Sequence, residues 1–153
     1  MAEITLKGNP LKTVGELPAV GTFCPDVRAT TLGLEDVSLQ NFAGKRKVLN
    51  IFPSVDTPVC ALSVKRFHKD AMAKNNVVVL NLSADLPFAL KRFCGAEGLE
   101  NVEALSTFRT DADDVLGVKM TTGPLAGLCA RAVVILDENN NVLYTEQVPE
   151  IGQ

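Results

Sequence analysis

Two kinds of apolar pattern run along this chain, and together they predict alternating strands and helices. Lys47-Val48-Leu49-Asn50-Ile51-Phe52 and Val77 to Leu82 are short, nearly continuous apolar runs, which suit strands buried on both faces of a sheet. Between them, Cys60, Val64, Phe67 and Ala71 recur at helical spacing, with Lys65, Arg66, Lys69 and Asp70 off that stripe. This predicts an amphipathic helix from Pro58 to about Lys74. Leu86 to Phe93 reads as a second, short helix ending near Cys94-Gly95. Val102 to Leu105 follows as a weaker strand, and Asp111 to Leu116 as a helical turn. Arg131 to Leu136 and Val142 to Val148 flank the turn-rich Asp137-Glu138-Asn139-Asn140-Asn141 and predict a hairpin. Near the N-terminus, Ile4-Thr5-Leu6 and Leu11-Lys12-Thr13-Val14 predict another hairpin around Gly8-Asn9-Pro10. Pro18, Gly21 and Cys24-Pro25-Asp26 then mark an irregular connection. Val27 to Thr31 and Asp36 to Leu39 predict a further pair of strands around Gly33.

Composition narrows the class. A chain of 153 residues, 46% hydrophobic and 22% charged, suits one soluble domain spanning 1–153 with a proper core. A net charge of −3 gives no electrostatic reason to expect nucleic acid or a membrane surface as partner. No apolar run approaches the length of a membrane span. The first residues alternate like a strand and lack the basic-then-apolar layout of a signal peptide, so a cytoplasmic protein is expected. Cys24, Cys60, Cys94 and Cys129 are almost evenly spaced, yet their flanking residues show no repeat. They do not resemble a secreted disulfide scaffold. No two lie a few residues apart as zinc ligands do, so no metal and no cofactor are expected. Redox chemistry is the better use of these thiols.

Pro53-Ser54-Val55-Asp56-Thr57-Pro58-Val59-Cys60 carries the chemistry. Pro58 fits the first helical position, which puts Thr57 at the N-cap and Cys60 in the first turn. Unpaired N–H groups and the positive end of the helix dipole favour a thiolate there, and the thiolate is the nucleophile. Thr57 is equally at home as a plain cap, and Pro53 as a strand terminator. Arg131 heads an apolar strand, and a charge entering a core needs a partner. The Cys60 thiolate is one candidate, an acidic residue another. Cys94 sits beside Gly95 at a helix end, where a structural cysteine would also fit. Cys24 and Cys129 read as core filler. His68 is excluded as a general base for Cys60, because eight residues of helix separate them by roughly 12 Å. With no other histidine in the chain, a cysteine hydrolase is unsupported. A disulfide reductase lacks its Cys-x-x-Cys pair. The remaining competitor is a module that senses oxidants or carries partners without turnover.

The strand-to-helix junction bearing Pro53, Thr57 and Cys60 resembles that of a peroxiredoxin. The segments Phe52-Pro53-Ser54-Val55-Asp56-Thr57 and Val59-Cys60-Ala61 resemble the bacterial thiol peroxidase subfamily, the atypical two-cysteine peroxiredoxins. So do Ser83-Ala84-Asp85-Leu86-Pro87-Phe88, Arg92-Phe93-Cys94-Gly95-Ala96-Glu97-Gly98-Leu99, and Gly123-Pro124-Leu125-Ala126-Gly127-Leu128 with Ala130-Arg131-Ala132. The resemblance spans essentially the whole chain. It implies a thioredoxin-like α/β sheet flanked by helices, with an N-terminal β-hairpin. It implies reduction of hydrogen peroxide and alkyl hydroperoxides, with Cys60 as the peroxidatic and Cys94 as the resolving cysteine. Thr57 would hold the peroxide, Pro53 shield the pocket, and Arg131 stabilise the thiolate and transition state. Thioredoxin would recycle the Cys60–Cys94 disulfide, and the enzyme would be a homodimer. Cys60 begins one predicted helix and Cys94 ends another, whereas a disulfide needs Cα atoms about 5.5 Å apart. A reduced form that holds them farther apart must unwind both turns. Three features depart from the family pattern. Val115-Leu116 stands before Gly117 where an aromatic residue is expected, in a segment about one residue short. Cys24 and Cys129 replace small residues. The chain stops at Ile151-Gly152-Gln153, where the family continues into a helix, and apolar sheet surface is expected to be uncovered there.

Overall fold

The two continuous apolar runs form adjacent parallel strands at the centre of a seven-stranded sheet. A computed structural model describes residues 3–6, 9–42, 44–54, 77–96 and 103–147. The helix expected over Pro58 to Lys74, with Thr57, Cys60 and His68, lies outside the described residues. So do Val102 and Val148.

In chain order the strands are β1 (Glu3–Leu6), β2 (Asn9–Lys12), β3 (Arg28–Thr30), β4 (Asp36–Ser38), β5 (Arg46–Ile51), β6 (Val77–Ser83), β7 (Glu103–Ser106), β8 (Ala132–Leu136) and β9 (Val142–Gln147). Helix α1 (Pro87–Ala96) lies between β6 and β7, and the short α2 (Ala112–Val115) between β7 and β8. The large sheet is ordered β4-β3-β7-β6-β5-β8-β9, while β1 and β2 pair separately. Strand β6 runs parallel to both β5 and β7, and the outer pairings are antiparallel.

The main core lies on one face of this sheet, where Leu49, Ile51, Leu80, Leu82, Leu105, Val134 and Leu136 pack together. Leu49 pairs with Leu80 and Ile51 with Leu82, so the period-two alternation sends these side chains to the same face. Asn50 and Asn81 form the intervening rung. Asn50 Nδ2 donates to Asn81 Oδ1 at 2.9 Å, and Asn81 Nδ2 donates to the Glu103 carbonyl at 3.2 Å. Two buried amides joined across a parallel rung disfavour a register slip, because a slip would strand both among apolar neighbours.

Most element boundaries shift by a residue or more from those expected, and three of the shifts are informative. Strand β2 begins at Asn9, and Pro10 pairs with Thr5 instead of lying in the turn. A two-strand ribbon consists of edges, where proline's missing N–H is tolerated. Helix α1 runs to Ala96, so Cys94 lies within its last turn. Strand β8 begins at Ala132, leaving Arg131 at its entrance.

The segment Val115-Leu116-Gly117 has its own local logic. Leu116 is the C-cap of α2 and is buried in the main core, where the aromatic residue was expected. Gly117 follows with φ +72°, its N–H donating to the Asp114 carbonyl at 3.1 Å. Val118 N–H closes the turn on the Asp113 carbonyl at 3.0 Å. A Cβ on Gly117 would collide with the Glu16 backbone. Gly117→Ala is therefore expected to destabilise the fold by about 2 kcal/mol or more, measured by urea unfolding.

Cys24 and Cys129 are both buried in the main core. Burial pushes the Cys24 thiol up to about 11 and the Cys129 thiol to about 12, so both stay protonated at neutral pH. Iodoacetamide at neutral pH is expected to leave both unmodified in the native protein and to label both in denaturant, as read by peptide mass spectrometry.

Candidate active site

Because β5, β6 and β7 are parallel, their C-terminal ends meet at one edge of the sheet. Open α/β sheets collect their chemistry at that edge. The segments leaving it here are Phe52–Ser54, Ala84–Leu86 and Thr107 onward. Strand β8 runs the other way beside β5, with Ile51 opposite Ala132. Phe52 follows Ile51 and Arg131 precedes Ala132, so both leave the ladder at this end. Pro53, just past the end of β5, and Arg131, just ahead of β8, are distant in sequence yet lie at the same end of the sheet.

Pro53 is buried, and Phe52 before it is fully so, its N–H donating to the Leu82 carbonyl at 3.1 Å. Arg131 is only 7% exposed. Its carbonyl accepts from Gln147 Nε2 at 3.4 Å, which ties the entrance of β8 to the end of β9. A guanidinium so enclosed is a strong electrostatic element, since charge–charge interactions grow as water is excluded.

Cys94 is buried in a second apolar cluster with Phe52, Leu90, Phe93 and Ala104. Burial raises its thiol above the ordinary value, so it is neutral in this state and a poor nucleophile. The cluster joins Cys94 to the residue directly before Pro53. Thr57 and Cys60 are outside the described residues; among the others, the structure sets Pro53 and Arg131 at the same end of the β5–β8 pair and packs Cys94 in one cluster with Phe52.

One cluster at this edge received no role from sequence. Ser54 Oγ donates to Asp85 Oδ1 at 2.6 Å, and Ser83 Oγ donates to Asp85 Oδ2 at 2.8 Å. The Asp85 N–H donates to Ser83 Oγ at 3.3 Å, and Ser106 Oγ donates to the Asp85 carbonyl. Ser106 Oγ in turn accepts from the Phe108 N–H at 3.2 Å. The local signal was Ser83-Ala84-Asp85 just ahead of Pro87, a pattern that favours side-chain to backbone bonding before a helix. The bond to Ser54 depends on strand pairing and has no local signature. Among the described residues, no cluster of three or more His, Cys, Asp or Glu could hold a metal ion.

Comparison with known proteins agrees with this architecture. The Redoxin family model matches residues 19–153. The chain is 55% identical to a thiol peroxidase of Mycobacterium bovis over 153 residues, covering 100% of this chain and 92% of that protein. A thiol peroxidase of Mycobacterium tuberculosis matches to the same extent, at 55% identity over 153 residues with the same 100% and 92% coverage. Among solved structures, a peroxiredoxin-like protein from Aquifex aeolicus gives a TM-score of 0.94 at 37% identity, covering 100% of this chain and 90% of that one. A thiol peroxidase from Chromobacterium violaceum gives 0.89 at 25% identity, covering 99% and 88%. These matches bear out the thioredoxin-like α/β fold expected from the sequence. The chain belongs to the redoxin family and, within it, to the thiol peroxidases of peroxiredoxin type.

Proposed function

We propose that Cys60 is the nucleophile with which this thiol-dependent peroxidase reduces hydrogen peroxide and small organic hydroperoxides. The Cys60 thiolate attacks one peroxide oxygen, forming an S–O bond as the O–O bond breaks. The electron pair departs on the other oxygen as hydroxide or alkoxide, which takes a proton to give water or alcohol. Developing negative charge on that oxygen is stabilised by the Arg131 guanidinium and by aligned donors, with Thr57 Oγ as one of them. Pro53 walls the pocket and limits water. The observation that supports this assignment best is the buried Arg131 just ahead of β8, at the same end of the β5–β8 pair from which the chain continues through Pro53 to Cys60.

The product is a Cys60 sulfenic acid. Cys94 then attacks that sulfur, an S–S bond forms and water leaves. A dithiol reductant, for which thioredoxin is the proposed donor, returns the disulfide to two thiols. Cys94 is buried in its apolar cluster, so on this proposal it has to become accessible for this step, and the last turn of α1 opens if the two Cα atoms otherwise lie beyond about 5.5 Å. A homodimer, as the resemblance implies, working in the cytoplasm completes this proposal. No helix among the described residues is long and apolar enough to cross a membrane.

Peroxide consumption with a thioredoxin system is expected to vanish in Cys60→Ser; equal rates for wild type and variant would refute the assignment. Arg131→Met is expected to slow the attack roughly a hundredfold, read by stopped flow. Cys94→Ser is expected to keep the first turnover and lose thioredoxin-supported cycling. A non-reducing peptide map after one equivalent of peroxide should join the Cys60 and Cys94 peptides in wild type.

A further inference from the structure

We infer that Asp85 is a positioning residue for peroxide attack, its carboxylate fixing the strand-end segment Phe52–Ser54 from which the chain runs on to Thr57 and Cys60. The inference rests on the proposed role of Cys60. Both carboxylate oxygens of Asp85 are engaged by hydroxyls from two separate segments, Ser54 after β5 and Ser83 at the end of β6. An ionised carboxylate only accepts, and hydroxyl bonds to it are shorter and stronger than neutral ones. The 2.6 Å bond from Ser54 is of that kind.

Asp85 cannot simply follow the segment it holds. Its N–H is bonded to Ser83 and its carbonyl to Ser106, and Ser83 and Ser106 are paired rungs of β6 and β7. The Thr107 N–H adds a bond to the Ser83 carbonyl at 2.8 Å. The carboxylate is therefore anchored to the rigid sheet, while Ser54 belongs to the connection leaving it. Pro53 lies between two tethers, the backbone bond from Phe52 to Leu82 and the side-chain bond from Ser54 to Asp85. Proline has no N–H of its own to bond and one fixed dihedral, so those tethers aim its ring. Attack geometry is sensitive at this level, and a misplacement of about 1 Å can cost on the order of a hundredfold in rate.

The test is stopped-flow consumption of hydrogen peroxide by the reduced full chain, at a temperature well below the melting midpoint of every variant. Asp85→Ala is expected to slow attack roughly tenfold or more. Asp85→Asn should recover most of the rate, since its amide oxygen still accepts one hydroxyl and its NH2 can donate to the other. Ser54→Ala should be slow as well, and Ser54→Ala with Asp85→Ala no slower than Asp85→Ala alone, because both remove the same tether. A purely stabilising role predicts a lowered melting midpoint with an unchanged rate constant, and that result overturns the inference. Additive losses in the double variant overturn it too. Where Asp85→Ala does not fold, Ser54→Ala decides, since it leaves the backbone bonds of Asp85 intact: slowed attack supports the inference and wild-type attack defeats it. A wild type that reacts no faster than Cys60→Ser sinks the Cys60 assignment and the inference together. A normal contrast between those two, with indifferent Ser54→Ala and Asp85→Ala, overturns the inference alone.

Discussion

Strand β5 is paired in parallel on one side and antiparallel on the other, and the candidate site depends on that difference. The parallel partner β6 brings its C-terminal end, with Ser83 and Asp85, beside the end of β5. The antiparallel partner β8 brings its beginning, with Arg131, to the same place. Had β8 been parallel, Arg131 would lie at the opposite edge of the sheet, a full strand length from Pro53. Neighbouring strands are only about 5 Å apart, so fixing the register fixes which side chains can share a pocket.

The register is guarded by polar groups where an apolar pair would have sufficed for burial. Asn50 and Asn81 bond across β5 and β6, and Asn81 continues to the Glu103 carbonyl on β7. Two residues farther along β6, Ser83 is paired with Ser106 of β7 and bonded to Asp85. The sheet face opposite the main core thus carries a polar line that leads toward the active edge. Buried polar groups that are fully bonded give a unique arrangement, whereas apolar contacts tolerate sliding. For an enzyme whose reacting atoms must meet within fractions of an ångström, that rigidity is the useful property.

The strands at the centre of the sheet were legible because burial on both faces leaves a nearly continuous apolar run, broken in each by the paired asparagine. The β8–β9 hairpin was legible because Asp137 to Asn141 is dense in turn formers, and Asp137 indeed accepts from the Asn139 and Asn141 N–H groups. Element ends were less so. Gly95 read as a stop, yet the last turn of α1 carries on through it to Ala96. Pro10 read as a turn residue, although an edge strand accommodates it. Arg131 could be picked out locally as a charge leading into an apolar strand. That it shares a sheet end with Pro53 could not be read, because the β5–β8 register is a property of two segments far apart in sequence. The same holds for Asp85, whose bond to Ser54 exists only once β5 and β6 are side by side.

The two thiols enclosed in the main core bear on how long the protein lasts. Packing holds Cys24 and Cys129 protonated, far above the usual 9.0. Once the chain opens, both return to ordinary acidity and join the other two cysteines as attackers of any disulfide within reach. Opening in the presence of peroxide therefore exposes buried thiols to oxidation and crosslinking. Working lifetime under oxidant is accordingly governed by the height of the unfolding barrier, and a tight core shields the enzyme from the very molecule it consumes.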